Sequence, residues 1–211
     1  MESIRKSQFI LASASPRRRD LLRKAGYCFE IVPSKVDESA FDTNSVTSEE
    51  HTKILALAKA KDIAVRFPNA IVMGGDTVVD LDGEIIGKPD DAAHAEEITR
   101  KLFSKPHKVI TGLALVCLEK NIEIVETDTT IVYPRQLTEA QIAEHIHKGD
   151  WQGKAGAYGI QETGDGFVDR IDGSFTNVMG LPMELTQRLL EQLGTHPAAA
   201  RERKLPDCET L

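Results

Sequence analysis

Residues 13–19, SASPRRR, gather phosphate-binding groups at the start of a helix. The N-terminus of a helix carries partial positive charge, serine hydroxyls donate hydrogen bonds, and guanidinium groups bind phosphate through paired contacts. Consecutive helical residues point in different directions, so two of the three arginines at most would face one ligand. The stretch predicts an anion site, and a capped surface helix with solvated arginines is the alternative that the charge pattern leaves open.

Asp76 is the acidic group that could act on such an anion. It stands in GGDTVV, residues 74–79, an apolar stretch that indicates a buried strand. Burying a carboxylate costs free energy unless a cation or a reaction uses its charge. The two preceding glycines would let a ligand or another backbone approach closely. Asp76 is therefore the candidate for handling water or a metal ion, with a hydrogen-bonded turn aspartate as the alternative.

Two further stretches add basic residues. Lys88 lies in GKP, at the end of the strand that should pair with the Asp76 strand, and Lys154 lies in the glycine-rich GKAGAYGIQ, residues 153–161. Such glycine spacing lets a chain wrap around a ligand, but the stretch is neither a Walker loop nor a dinucleotide-binding fingerprint. A solvent-facing lysine and a flexible loop are the respective alternatives.

The composition narrows the class of ligand. The 211 residues carry a net charge of -7, which disfavours nucleic-acid binding, yet residues 1–24 hold seven Lys or Arg against two acidic residues. A local positive pocket in an acidic protein suits a small anion. The three cysteines (Cys28, Cys117 and Cys208) lack CxxC spacing, and no apolar run has transmembrane length. We expect a cytoplasmic protein that binds no membrane.

These groups must be positioned by an α/β fold with a mixed sheet, because both hairpins and helical crossovers are predicted. The expected strands are 9–12, 29–32, 70–79, 84–87, 108–118, 122–132 and 166–171. The first helix is expected to start at Pro16, and four further helices are expected at 48–67, 90–102, 137–148 and 182–193. Residues 1–194 are expected to form a single domain, followed by a loose tail over 195–211.

Eight stretches in order resemble the Maf family of nucleoside triphosphate pyrophosphatases, historically called septum-formation inhibitors. They are LASASPRR, VDES, LALAKA, GGDTVV, GKP, VITG, GKAGAYGIQ and NVMGLP, and the resemblance covers about residues 8–193. It implies metal-assisted hydrolysis of a nucleoside triphosphate to the monophosphate and pyrophosphate, a house-cleaning activity. It also implies an elongated fold like that of inosine triphosphatase, with two lobes around a cleft, in a cytoplasmic homodimer.

The resemblance also assigns site residues. Asp76 matches the proton acceptor of the family, and Arg17, Thr77 and Gln161 match positions that tune substrate choice. The other cleft positions fall on Ser13, Arg18, Glu38, Lys59, Lys88 and Lys154. We expect Asp76 and Glu38 to hold Mg²⁺ or Mn²⁺ with phosphate oxygens, and whether Asp76 serves as base, metal ligand or both stays open. A regular strand would turn the Thr77 hydroxyl away from Asp76, whereas a bulge would bring them together.

Within the family, GKAGAYGIQ resembles the branch that acts on dTTP and UTP. The amide of Gln161 can accept from N3–H of uracil or thymine while donating to O4. A flipped amide would serve cytosine as well, so Gln161 alone does not reject CTP.

Two alternatives from other classes remain at this point. VVDLDGE, residues 78–84, resembles the motif of haloacid-dehalogenase-like phosphatases, with Asp80 as nucleophile and Asp82 as acid/base. Against it, Glu84 replaces the threonine of that motif, and a hairpin turn explains the stretch without chemistry. The second alternative is a nucleotide-binding regulator of cell division without turnover, which would need no buried aspartate.

Overall fold

The computed structural model describes residues 9–41, 46–158 and 166–198, and a seven-stranded sheet flanked by helices dominates it. The strands are β1 (Phe9–Leu11), β2 (Glu30–Ile31), β3 (Ile71–Leu81), β4 (Glu84–Ile86), β5 (His107–Cys117), β6 (Ile122–Pro134) and β7 (Val168–Asp172). The helices are α1 (Pro16–Lys24), α2 (Ser48–Ala64), α3 (Ala92–Leu102), α4 (Glu139–Lys148), α5 (Phe175–Val178) and α6 (Met183–Gln192), with 3₁₀ turns at Glu38–Ala40 and Ala155–Ala157. The predicted α/β class with a mixed sheet is confirmed.

The central strand β3 has an interrupted edge. The sheet order is β2-β1-β3-β5-β6-β7, with β4 also paired to β3, and β1 is parallel to both of its neighbours while the other pairs are antiparallel. Strand β5 pairs with β3 from Val72 to Asp80, so β1 and β4 must share the opposite edge. There β1 pairs with residues 71–73 and β4 with residues 79–81. Residues 74–78 therefore face no described strand on this edge, and we call this stretch the strand gap.

Helix α2 lies very close to one face of the sheet. A Cβ atom at Gly74 would lie 2.1 Å from the Ala56 carbonyl oxygen, and one at Gly112 would lie 2.3 Å from the Thr52 carbonyl oxygen. Real Cβ contacts do not reach such distances, so both strand positions require glycine. We call this contact the α2 seam (Thr52, Ala56, Gly74 and Gly112). It holds the α2 backbone close to the sheet and so fixes the distance of Lys59 from β3.

The other face of the sheet carries the larger hydrophobic core. Buried side chains from β1, β3 and β5 pack there against α1, α3 and α6, among them Leu11, Leu22, Met73, Leu102, Leu113 and Leu189. Full burial of one such side chain stabilises the fold by roughly 1.5–3 kcal/mol. This core packs α1 against β3 on the face of the sheet opposite α2.

Local sequence signals account for most element ends. Ser15 caps α1 with its side chain accepting from the Arg18 amide, and Pro16 takes the first helical position as predicted. The predicted end of α2 at residue 67 is three residues too late, because Phe67 precedes Pro68 and that position disfavours helix. The predicted end of β3 is two residues too early, since the turn to β4 is confined to residues 82–83.

Residues 195–198 of the predicted tail lie beside the end of α1, where the Ala198 amide donates to the Gly26 carbonyl at 2.8 Å. Residues 199–211 lie outside the described part of the chain, so the loose tail stays a prediction. None of the helices in the described residues is long and apolar enough to cross a bilayer.

Candidate active site

A cavity of about 400 Å³ lies at the strand gap. Nine of the ten predicted site residues line it: Ser13, Arg17, Arg18, Glu38, Lys59, Asp76, Thr77, Lys88 and Lys154. The tenth, Gln161, lies outside the described residues. Five basic and two acidic side chains among the described lining give a formal charge of +3, in a protein whose net charge is -7. Such a lining attracts a compact polyanion.

Lys59 joins the two acidic groups of the cavity. Its Nζ atom lies 2.8 Å from Oδ1 of Asp76 and 2.9 Å from Oε1 of Glu38. Asp76 is 7% exposed, and the Lys59 side chain that pairs with it is 11% exposed, so a largely shielded cation balances the buried carboxylate. Partial burial alone would raise the pKa of Glu38, but the hydrogen bond and charge of Lys59 outweigh it and hold that pKa below its ordinary value. We call these three residues the carboxylate–lysine cluster.

Arg18 is a buried structural tie between the walls of the cavity. Its Nε donates to the Gly180 carbonyl at 2.8 Å, and its NH1 group donates to the Gly75 carbonyl at 2.8 Å and to Ser13 Oγ at 3.1 Å. Its NH2 group donates to Thr77 Oγ1 at 3.0 Å. A guanidinium has five N–H groups, so these four bonds leave one for a ligand.

Arg18 therefore has fewer N–H groups free for a phosphate than its sequence context indicates. Burial lowers the pKa of the Arg18 guanidinium, and the charge of Asp76 opposes this effect. A guanidinium stays charged at neutral pH, so Arg18 still adds positive potential to the cavity. Arg17 is half-buried and also lines the cavity, which makes it the better placed of the two for direct phosphate contact.

The regular pairing of β3 with β5 settles where the Thr77 hydroxyl points. Asp76 pairs with Gly112 and Thr77 with Thr111, with no bulge between them, so the two side chains leave opposite faces of the sheet. Thr77 Oγ1 lies 2.9 Å from Thr111 Oγ1 and accepts from Arg18. The strand gap lets both faces contribute to one cavity, which is why Asp76 and Thr77 both line it.

One wall of the cavity was not foreseen from the sequence, which indicated only a turn at NVMGLP. Val178, Met179 and Gly180 line the cavity, and Asn177 anchors them. The fully buried Asn177 amide donates to the Val109 carbonyl at 3.0 Å and to Thr130 Oγ1 at 3.0 Å. The sequence signal for this wall was an asparagine before a short turn that contains glycine. The hydrogen-bond partners of Asn177 on β5 and β6 are distant in sequence, so the signal did not show what the side chain anchors.

Asp80, the candidate nucleophile of the phosphatase alternative, is a structural residue. Its carboxylate accepts from the Ser48 hydroxyl at the start of α2 and from the Gly83 amide at 3.1 Å. Asp82 is exposed in the hairpin turn and pairs with Lys105. Among the described residues that line the cavity, the carboxylate from β3 is Asp76 and not Asp80.

A buried His107–Tyr158 pair adjoins the cavity. The Nε2 atom of His107 lies 2.8 Å from the Tyr158 hydroxyl, and the Tyr158 ring packs edge-on against Phe103. Tyr158 itself lines the cavity. Burial lowers the pKa of the His107 imidazole to about 4 and raises the pKa of the Tyr158 hydroxyl, so both groups are neutral at pH 7.

We predict that His107→Gln makes stability less sensitive to acid. The pKa of His107 falls from 6.5 in the unfolded chain to about 4 in the fold, so the unfolded chain binds more protons between these values. The contribution of His107 to the free energy of unfolding is therefore constant above pH 6.5. It falls by about 3 kcal/mol in total as the pH drops towards 4. Urea unfolding at pH 7 and pH 4 should show a larger loss for wild type than for the variant. Equal losses would contradict the prediction.

Comparisons with known proteins identify the family of this chain. The family model of Maf-like proteins matches residues 8–193. A protein of Symbiobacterium thermophilum named dTTP/UTP pyrophosphatase is 43% identical over 187 residues, or 89% of this chain and 94% of the relative. A protein of Geotalea uraniireducens with the same name is 42% identical over 189 residues, or 90% of this chain and 96% of the relative.

A solved structure shares the fold at much lower identity. The Staphylococcus aureus Ham1 protein matches with a TM-score of 0.50 and 15% identity, covering 89% of this chain and 100% of its own. That likeness concerns the fold alone. The family match, which spans almost all of the described residues, together with relatives above 40% identity over most of the sequence, shows that this chain belongs to the Maf family.

Proposed function

We propose that the protein is a nucleoside triphosphate pyrophosphatase that hydrolyses dTTP and UTP to the monophosphate and pyrophosphate. The observation that carries this proposal is a cavity whose described lining has a formal charge of +3 and includes the buried carboxylate of Asp76. A cavity of this charge suits a triphosphate, and Asp76 supplies the negative group that handles water. The relatives named dTTP/UTP pyrophosphatase support the choice of substrate.

In the proposed reaction a water oxygen attacks the α-phosphorus, and the bond from that phosphorus to the bridging oxygen breaks. Pyrophosphate leaves, and the proton of the water passes to the Asp76 carboxylate. Positioning and charge neutralisation dominate such transfers, so the basic residues do most of the binding. Arg17 and the start of α1 hold the phosphate chain, while Lys88 and Lys154 add charge from the other elements that line the cavity.

The carboxylate–lysine cluster fits the divalent cation of the proposal. Oxygen atoms of Asp76 and Glu38 lie 2.8 Å and 2.9 Å from one ammonium group, and this convergence supports placing a cation between them. Mg²⁺ is commonly held by one or two carboxylates together with substrate phosphates and water. In this site a bound cation would offset the negative charge that builds up on the phosphate oxygens.

The choice between pyrimidine bases is assigned to Gln161 and stays a prediction, because Gln161 lies outside the described residues. A cytoplasmic homodimer likewise stays a prediction from the family resemblance. Light scattering of the purified protein tests the oligomeric state directly.

The proposed function predicts specific products. With Mg²⁺ or Mn²⁺, the purified protein should release pyrophosphate and monophosphate from UTP and dTTP, and much less from purine nucleotides. Ion-exchange chromatography of the products across a panel of nucleoside triphosphates measures this. Release of orthophosphate would favour a phosphatase, and no turnover with any nucleotide would favour a regulator; either result would contradict the proposal.

A further inference from the structure

The ammonium group of Lys59 lies between the two carboxylates that the proposed function assigns to a metal ion. Its ammonium group bonds to Asp76 at 2.8 Å and to Glu38 at 2.9 Å, and its side chain is only 11% exposed. The α2 seam holds the backbone of this helix against β3, which keeps the ammonium above Asp76. The Asp76 side chain is 9% exposed and the Glu38 side chain is 54% exposed. A divalent cation placed between the two carboxylates would therefore have to displace the Lys59 ammonium from the shielded carboxylate of Asp76.

The rest of the lining also opposes a metal ion that arrives alone. Arg17, Arg18, Lys88 and Lys154 share the cavity with the cluster, so the described part of the lining carries a formal charge of +3. Charges in a partly buried cavity are weakly screened and repel a divalent cation. A nucleoside triphosphate reverses this balance, because its phosphates neutralise the basic residues and offer Lys59 a new anionic partner.

We propose that Lys59 is a resident cation that keeps divalent metal out of the free protein, so that metal enters only together with the triphosphate. The proposal rests on the proposed function, because it takes the occupant of the cavity to be a nucleoside triphosphate. Lys59 then has two states: it bridges Asp76 and Glu38 in the free protein, and it moves its charge to phosphate oxygens when the nucleotide binds. The proposal therefore predicts a low affinity of the free protein for divalent metal.

The test measures Mn²⁺ binding to the free protein by electron paramagnetic resonance. Lys59→Met leaves Asp76 and Glu38 without their shared cation and should bind Mn²⁺ at least about tenfold more tightly than wild type. Lys88→Met is the matched control, because it removes the same charge from the same lining and acts on Glu38 through its charge. Lys88 is exposed, so solvent screens its charge, and its loss should change the affinity by less than about threefold.

Two results would overturn the proposal. One is a wild-type affinity for Mn²⁺ equal to that of Lys59→Met, and the other is an equal gain in Lys88→Met, which would indicate a general charge effect. The double variant Lys59→Met with Asp76→Asn should lose the gain, which locates the ion at Asp76. Thermal unfolding checks that each variant folds, and Lys59→Gln replaces Lys59→Met if the latter does not.

A second measurement uses the wild-type protein alone. A non-hydrolysable UTP analogue should raise its Mn²⁺ affinity by at least about tenfold over that of the analogue and of the protein measured separately. No gain would count against the proposal. Failure of the proposed function is distinguished by a separate measurement, because wild type would then release no pyrophosphate from UTP. The Mn²⁺ affinities of Lys59→Met and Lys88→Met would still test the role of Lys59.

Discussion

Asp76→Asn is expected to lower kcat for pyrophosphate release from UTP by about 10³-fold while the protein stays folded. Asparagine has nearly the same shape and keeps one oxygen acceptor, but it removes the charge that both proposed roles of Asp76 require. Lys59 retains Glu38 as a partner, so the loss of one ion-pair bond does not leave the ammonium unpaired. Steady-state kinetics with saturating UTP and metal measure the effect.

Asp80→Asn is the control for this prediction, because Asp80 is a buried carboxylate on the same strand. Its bonds go to the Ser48 hydroxyl and the Gly83 amide, so we expect a stability loss of about 1 kcal/mol and near-normal kcat. A fall in kcat for Asp80→Asn with unchanged activity for Asp76→Asn would favour the phosphatase alternative. Activity of Asp76→Asn within tenfold of wild type would remove Asp76 from the chemistry.

Gly74→Ala is expected to destabilise the protein by about 3 kcal/mol or more. The new methyl group would lie 2.1 Å from the Ala56 carbonyl oxygen and 2.8 Å from the Ala60 amide nitrogen, both backbone atoms of α2. Relief of this clash requires the whole helix to move away from β3, because no flexible side chain can yield. The free energy of unfolding from urea titration measures the loss, and kcat should fall with it since Lys59 rides on the same helix.

Gly75→Ala is the matched control one residue along the strand. A methyl group there points to the other face and would lie 3.3 Å from Nε of Arg18, a contact that a shift of a few tenths of an ångström relieves. We expect a change in stability within about 1 kcal/mol. Equal stability of Gly74→Ala and Gly75→Ala would contradict the account of the α2 seam.

Sequence reasoning was most successful where the signal was local. Ser15 and Pro16 predict the start of α1 from their own backbone preferences, and the apolar residues around Asp76 predict its burial. The same reasoning could not find how Arg18 is used. Its acceptors at Gly75 and Gly180 lie 57 and 162 residues away in the chain, so three basic residues in a row look alike until the fold brings those carbonyls to one of them.

The sequence also does not distinguish the structural roles of the adjacent residues Gly74 and Gly75. The pattern GGD predicts a close approach at both, but only the alternation of faces along β3 shows that Gly74 meets a helix backbone and Gly75 meets a guanidinium. The strand gap was also out of reach, because it depends on β1 and β4 pairing with opposite ends of one edge. Such placement is decided by tertiary contacts and not by any single stretch of sequence.

The interrupted edge of β3 also bears on the solubility of the protein. A long open strand edge is a template on which a foreign chain can add a strand and start an aggregate. Here β1 and β4 cover the two ends, and Arg18 takes the Gly75 carbonyl between them. The uncovered stretch is confined to residues 74–78, so the opening at the cavity leaves a foreign chain only a short edge on which to add a strand.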